Sequence, residues 1–371
     1  MKSFVIFFLI FTVLTVNIIA NNTGDWLDVG PDAKALGMGA ASVAVAENSY
    51  ATFWNPAALS GKKQLYSTFA TLFGEVDYQY IGYNQEFPFG NVGISFLSIN
   101  VDGFNYTSLI NGRPLDNGSS FSFDNSALFF SYGNQLSNVI NKVPFLRKWN
   151  GAWMQPIKVG STLKFLNQSL ADETSSGFGL DLGFQYKINK RLTIAGVFYN
   201  FLSTGLTWST GANDSIPLKG KVGISHCYND KLLLVADIEV LGYQEPGISW
   251  GVEYAVNPFF TIRSGRNKEI VTFGLGINYK GISFDYAYKQ ATDSYLDGST
   301  RFSLGYVFGS VFRKKDKEKE PKITNKKELP KVEEKIKPKK KTEESQGKAQ
   351  KENKPKKKKT KKTRSLRRRV I

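Results

Sequence analysis

Catalysis needs nucleophiles, bases or metal ligands within reach of one another, and this 371-residue sequence supplies few. It contains one histidine, His226, and one cysteine, Cys227. A lone cysteine excludes an intramolecular disulfide, and one Cys with one His does not make a structural zinc site. Without a second histidine, Ser-His-Asp chemistry and most metal-assisted hydrolysis lack their parts. His226 falls in phase with Val222, Ile224 and Tyr228, which puts it on an outward strand face near a turn, as an interfacial residue. No enzyme, cofactor or metal is expected. What remains is a set of charged residues at alternate positions of otherwise apolar stretches: Lys164, Asp181, Lys221, Asp237, Glu239, Glu253, Asp285, Lys289 and Arg301. They could line a conduit or latch an internal segment. The simpler reading is cross-strand pairing that neutralises an interior. Gly37-x-Gly39 partly mimics a dinucleotide loop, but no third glycine follows at the required spacing and no strand precedes it.

The elements that must carry these residues are strands. From about Lys63 to Gly309 the chain runs in segments of about ten residues, alternating apolar and polar and bounded by Gly, Asn, Asp or Pro. Phe302, Leu304, Tyr306 and Phe308 share one face, while Arg301, Ser303, Gly305 and Val307 share the other. Phe178, Leu180, Leu182, Phe184 and Tyr186 likewise oppose Gly179, Asp181, Gly183 and Gln185. One face is aromatic-rich and the other carries charge or glycine, as a wet or plugged lumen requires. Strands of ~9–11 residues suit a tilted bilayer crossing. The expected fold is therefore all-β, a transmembrane antiparallel barrel of about 14 strands near 63–73, 77–87, 90–100, 120–132, 156–168, 175–187, 190–201, 217–227, 230–240, 246–255, 258–264, 268–279, 281–290 and 300–309. Short turns are expected at Pro88-Phe89-Gly90, Asn189-Lys190, Asn229-Asp230, Asn257-Pro258 and Lys280-Gly281. Longer polar loops are expected at 101–119, 202–216 and 291–299. Residues 133–155 break this alternation, with a small helical insertion at Leu136–Ile140.

The ends of the chain differ in texture. Lys2, the apolar run Phe4–Phe11 and a small residue at Ala20 read as a signal peptide over 1–20, with a membrane anchor as the rival reading. Residues 21–61 are rich in Gly and Ala and read as a plug. From Arg313 to Ile371 there are 27 Lys+Arg and 9 Asp+Glu, a net of +18 against +17 for the whole chain. Residues 1–312 are thus almost neutral, at −1. The segment 311–371 reads as a disordered basic tail, with anionic lipid or cell-wall polymer as its partner in preference to nucleic acid.

The run Gly30–Gly39, then Ala40–Ala46 and Ala51-Thr52-Phe53-Trp54-Asn55-Pro56-Ala57-Ala58-Leu59, resembles the N-terminal plug of FadL-like and PorV/PorQ-like outer-membrane proteins over roughly thirty residues. Ile262–Gly265, Phe273–Ile277 and Gly281–Tyr288 resemble their closing strands. The resemblance implies an outer-membrane location, a lipid bilayer partner and passive uptake of hydrophobic small molecules such as long-chain fatty acids. Gly37, Met38, Gly39, Phe53, Trp54, Asn55, Pro56 and Ala57 would shape the gate. A second reading, from the PorV/PorQ-like side of the resemblance, is an accessory of protein export, and a tether to the cell wall through the tail is a third. An even strand count with an internal plug leaves both termini periplasmic.

Overall fold

Alternation at period two governs the whole of the computed structural model, which describes residues 24–241, 246–291 and 298–309. The expected signal peptide over 1–20 and the expected disordered basic tail over 311–371 lie outside the described residues. The strands are β1 (Gln64–Leu72), β2 (Val76–Phe87), β3 (Gly90–Ile110), β4 (Arg113–Gln135), β5 (Ile157–Leu170), β6 (Glu173–Lys187) and β7 (Leu192–Ser203). A miniature hairpin follows, β8 (Leu206–Trp208) and β9 (Asn213–Asp214). Then come β10 (Lys219–Cys227), β11 (Leu232–Leu241), β12 (Gly247–Ala255), β13 (Phe260–Asn267), β14 (Ile270–Tyr279), β15 (Ile282–Lys289) and β16 (Ser299–Val307). Setting β8 and β9 aside, each strand pairs antiparallel with its neighbours, and β16 returns to β1 with Gln64 opposite Val307. The result is a closed barrel of 14 strands, which leaves no open edge around the ring.

Burial runs opposite to that of a soluble sandwich. Phe302 and Leu304 are 46% and 53% exposed on the outer wall, while the alternating Arg301 and Ser303 are 3% and 2% exposed. Apolar side chains face outward all round the ring and polar ones face in, which is the pattern of a barrel whose outer solvent is lipid. Three turns share one device. The Asn189, Asn229 and Asn257 Oδ1 atoms each accept two backbone N–H groups of the turn that follows, so the side chain closes the reversal.

The β3–β4 connection corrects one expectation. Residues 101–119 are not a loop, because β3 and β4 continue as a ribbon beyond their neighbours to a turn at Asn111-Gly112. Both residues have positive φ, 49° and 74°, and Asn-Gly meets that requirement of a two-residue hairpin with little strain. The expected contrast in connection length also weakens. Residues 171–172 and 268–269 are tight turns on the side opposite to Asn189, Asn229 and Asn257. We call the side carrying those three asparagines the turn side and its opposite the loop side. On the turn side, 136–156 holds a helix α3 (Leu136–Lys142) and two 3-10 turns.

Candidate functional site

Residues 24–61 fold inside the barrel, and the local sequence explains the path. Gly24 lies beside Ile216 and Asp28 pairs with Lys219, so the described chain starts in the loop-side half. The barrel itself begins and ends on the turn side. Helix α1 (Ala33–Gly37) is capped by Asp32, whose carboxylate accepts from Ala35 N at 3.2 Å. Helix α2 (Ala51–Trp54) ends at the extended Asn55, whose side chain caps the 3-10 turn Pro56–Ala58. Proline suits the first position of that turn, where its missing N–H has no role.

Two stretches of this plug sit directly on glycines of the inner wall. In the first seat, Pro56 and Asn55 lie against Gly133 of β4, Gly160 of β5 and Gly183 of β6. A Cβ on Gly160 would stand 2.5 Å from Ala57 N. In the second, Gly37, Met38 and Gly39 lie against Gly251 of β12, Gly265 of β13 and Gly274 of β14. Cβ atoms on Gly37 and Gly274 would each stand 2.9–3.0 Å from the other's Cα. Gly39 also adopts a φ of +68°, where a side chain is strained. All eight residues Gly37, Met38, Gly39, Phe53, Trp54, Asn55, Pro56 and Ala57 are buried. The wall glycines are the half of the contact that motif reading missed. Their signal was the repeated glycine on the inward phase of the strands.

Hydrogen bonds complete the seats. Asn55 is fully buried, and its Nδ2 donates to Val43 O at 3.1 Å and to Phe184 O at 3.0 Å, while Oδ1 accepts from Ala57 N at 3.1 Å. Trp54 Nε1 donates to Asp32 at 2.8 Å, and Tyr199 donates to Trp54 O at 2.8 Å. Phe53 packs edge-on between Trp54 and Phe129. Burial pushes the Asp32 carboxyl above the usual carboxylate range, partly offset by the Trp54 and Ala35 hydrogen bonds. Its charged form therefore opposes docking, and plug stability is expected to rise as pH falls through that raised value. Asp32→Asn should flatten this dependence. Protease sensitivity of the plug across the acid range measures it, and an unchanged profile contradicts the account.

The charged residues fall into three groups. Lys164 and Asp181 pair at 2.8 Å, both almost fully buried, and Asp181 also accepts from Asn200 N at a bulge between β6 and β7. Lys221 lies 3.9 Å from Asp237 and 3.6 Å from Glu239, and Lys219 joins Asp28 and Glu239. Asp237 additionally accepts from Ser42 N at 2.8 Å and Val43 N at 3.1 Å, which ties plug to wall. Arg263 bonds Glu253 at 2.6 Å and Asp285 at 2.7 Å, with Lys34 of the plug 3.8 Å from Glu253. The Glu253 carboxylate holds the Lys34 ammonium above its usual value. Sequence reading missed Lys34, Lys219 and Arg263, although Lys219 shares the phase of Lys221 and Arg263 lies between outward residues.

Arg301 and Lys289 stand apart. Arg301 donates to Gly30 O and lies over the Tyr78 ring at 4.8 Å, while its buried Nε has no hydrogen-bond partner among the described residues. Both cations line a loop-side cavity of about 260 Å³ with Leu36, Trp54, Leu72 and Phe73. A second cavity of about 240 Å³ beside it reaches Phe53, Phe129, Tyr199 and Lys219. Trp54 and Ala40 line both.

A closed 14-stranded barrel with a segment folded into its lumen is the class that fold and site define. No protein-family model matches the sequence, and no curated protein sequence does either. Solved structures do resemble it. The Ralstonia pickettii toluene transporter TbuX shares 14% identity over 75% of this chain and 98% of its own, with a TM-score of 0.53. The Pseudomonas putida toluene transporter TodX shares 14% over 73% and 95%, with a TM-score of 0.51. At that identity the likeness is one of fold.

Proposed function

We propose that the protein is an outer-membrane channel for passive uptake of hydrophobic small molecules, taken into the loop-side cavities and released by displacement of the plug. The observation that carries this is the cavity lined by Trp54, which joins the apolar Leu36, Leu72 and Phe73 to the cations Arg301 and Lys289. The barrels it resembles are transporters of toluene, an uncharged cargo. The Arg301 guanidinium in that lining offers positive charge to an anionic head, so an amphiphile such as a long-chain fatty acid suits the cavity. Hydrogen bonds to a charged group contribute about 1.5–3 kcal/mol, a factor of roughly ten or more in affinity. A fluorescent long-chain fatty acid should therefore bind more tightly than its uncharged methyl ester, and Arg301→Gln should remove that difference. Equal binding of acid and ester to the unsubstituted protein contradicts the reading. In this reading the turn side faces the periplasm, and the basic tail meets anionic lipid or cell-wall polymer there.

A second reading, an accessory of protein export, has one observation in its favour. The β3–β4 ribbon rises past its neighbours and exposes Leu109, Ile110 and Leu115 near its tip. Such an accessory would co-purify with exported proteins through that tip. Leu109→Ser with Ile110→Ser would abolish this without touching fatty-acid binding.

A further inference from the structure

We infer that the turn-side insertion between β4 and β5 is a binding site for the headgroup of an anionic phospholipid in the adjoining leaflet. From residue 125 to residue 171 the sequence contains no Asp or Glu, yet it holds Lys142, Arg147 and Lys148 in this insertion. In the same segment Phe145 is 73% exposed and Trp153 55% exposed. A large aromatic beside a cation is the pairing that settles at a membrane–water boundary, the ring at headgroup depth and the charge toward phosphate.

The segment is built to stay at that boundary. Tyr132, Asn134 and Lys142 all donate to Phe89 O, at 2.7, 2.9 and 2.9 Å, which fastens the start of the insertion to the β2–β3 turn. Phe89 in turn stacks on Phe87, with ring centroids 5.3 Å apart, and Phe87 belongs to the outward row of β2 that includes Ile81. The insertion thus continues the lipid-facing surface rather than leaving it. Its own fold is pinned by Arg147 Nε donating to Asn141 O at 2.6 Å and Asn150 Nδ2 donating to Asn141 Oδ1 at 2.8 Å. Arg147 and Lys148 both remain exposed residues. Cations from a stretch that contains no Asp or Glu, held at the edge of an apolar band, complement a phosphodiester that lacks a compensating choline or ethanolamine charge.

The test uses the full chain in bilayers doped with photoreactive phosphatidylglycerol or photoreactive phosphatidylcholine, with crosslinks mapped to peptides. Mapping separates this site from the basic tail, which would attract anionic lipid on its own. Crosslinks to residues 136–158 should favour the phosphatidylglycerol probe. Arg147→Gln with Lys148→Gln should lower them about tenfold or more, since each cation near an anionic surface contributes about fivefold. Crosslinks to the 256–259 turn serve as the internal standard for a folded, inserted barrel. Raising salt in the unsubstituted protein should lower the signal in parallel. Equal labelling by both probes, or labelling that the double substitution and salt leave unchanged, overturns the inference.

Discussion

Gly160→Leu is expected to drive the plug off its seat and turn a closed barrel into a conducting one. Gly160 faces the lumen on β5, and the Cβ position is already occupied by the backbone of Pro56 and Ala57. Those atoms cannot swing aside as a side-chain end could. They belong to a 3-10 turn fixed by Asn55, which also donates to Phe184 O on β6. Overpacking in a closed core costs about 1–3 kcal/mol even where side chains can yield, and here backbone must move. The barrel ring has its own ladder of hydrogen bonds, so the plug is the part that gives way. The expected result is a step increase in single-channel conductance together with protease cleavage within residues 50–60. Phe165→Leu, on the outward face of the same strand, should leave both unchanged. A closed, protease-resistant Gly160→Leu protein would show that this seat does not hold the plug.

The second large effect belongs to Arg263. Its guanidinium is buried between Glu253 and Asp285, and the nearest further cation, Lys34, reaches only Glu253. Arg263→Met removes the charge that allows two carboxylates to share this space. Breaking a buried pair in this way costs about 3–5 kcal/mol, because uncompensated charge stays behind. The site also carries the second seat: Gly37 packs against Gly274, with the Arg263 Cβ near both. Arg263→Met should therefore lower the unfolding midpoint in denaturant sharply and loosen α1. Adding Glu253→Gln and Asp285→Asn to the same chain should recover most of the loss, because no uncompensated carboxylate is then left behind and only Lys34, the most exposed member, keeps a charge. If the single substitution is tolerated, water or lipid headgroups must solvate those carboxylates, and the lumen is wetter than the burial of these groups implies.

The two seats also show what was legible in the sequence. All fourteen strand positions followed from alternation, because one face meets lipid and the other a polar lumen, and a one-residue slip would invert every side chain. The strand ends on the turn side followed from asparagines at 189, 229 and 257. The β3–β4 ribbon was missed because its outward row loses apolar character at Ser98 and Asn100, although Asn111-Gly112 is a strong hairpin signal. The plug motif was visible as a string, but its meaning was not. Which wall residues receive Pro56 or Met38 depends on closure of the ring, which brings β4, β5 and β6 together on one side and β12, β13 and β14 on another. Arg263 and Lys219 were within reach of a phase argument. The unpaired nitrogen of Arg301 was not, because it depends on where Gly30 and Tyr78 end up.

The most direct measurement for the proposed channel is native mass spectrometry of the full chain after gentle extraction, reading what the lumen retains. The account predicts one anionic amphiphile per chain in the unsubstituted protein. Its occupancy should fall in Arg301→Gln, while Phe165→Leu keeps it. A chain that carries no small molecule, and instead emerges bound to an exported protein, would contradict it.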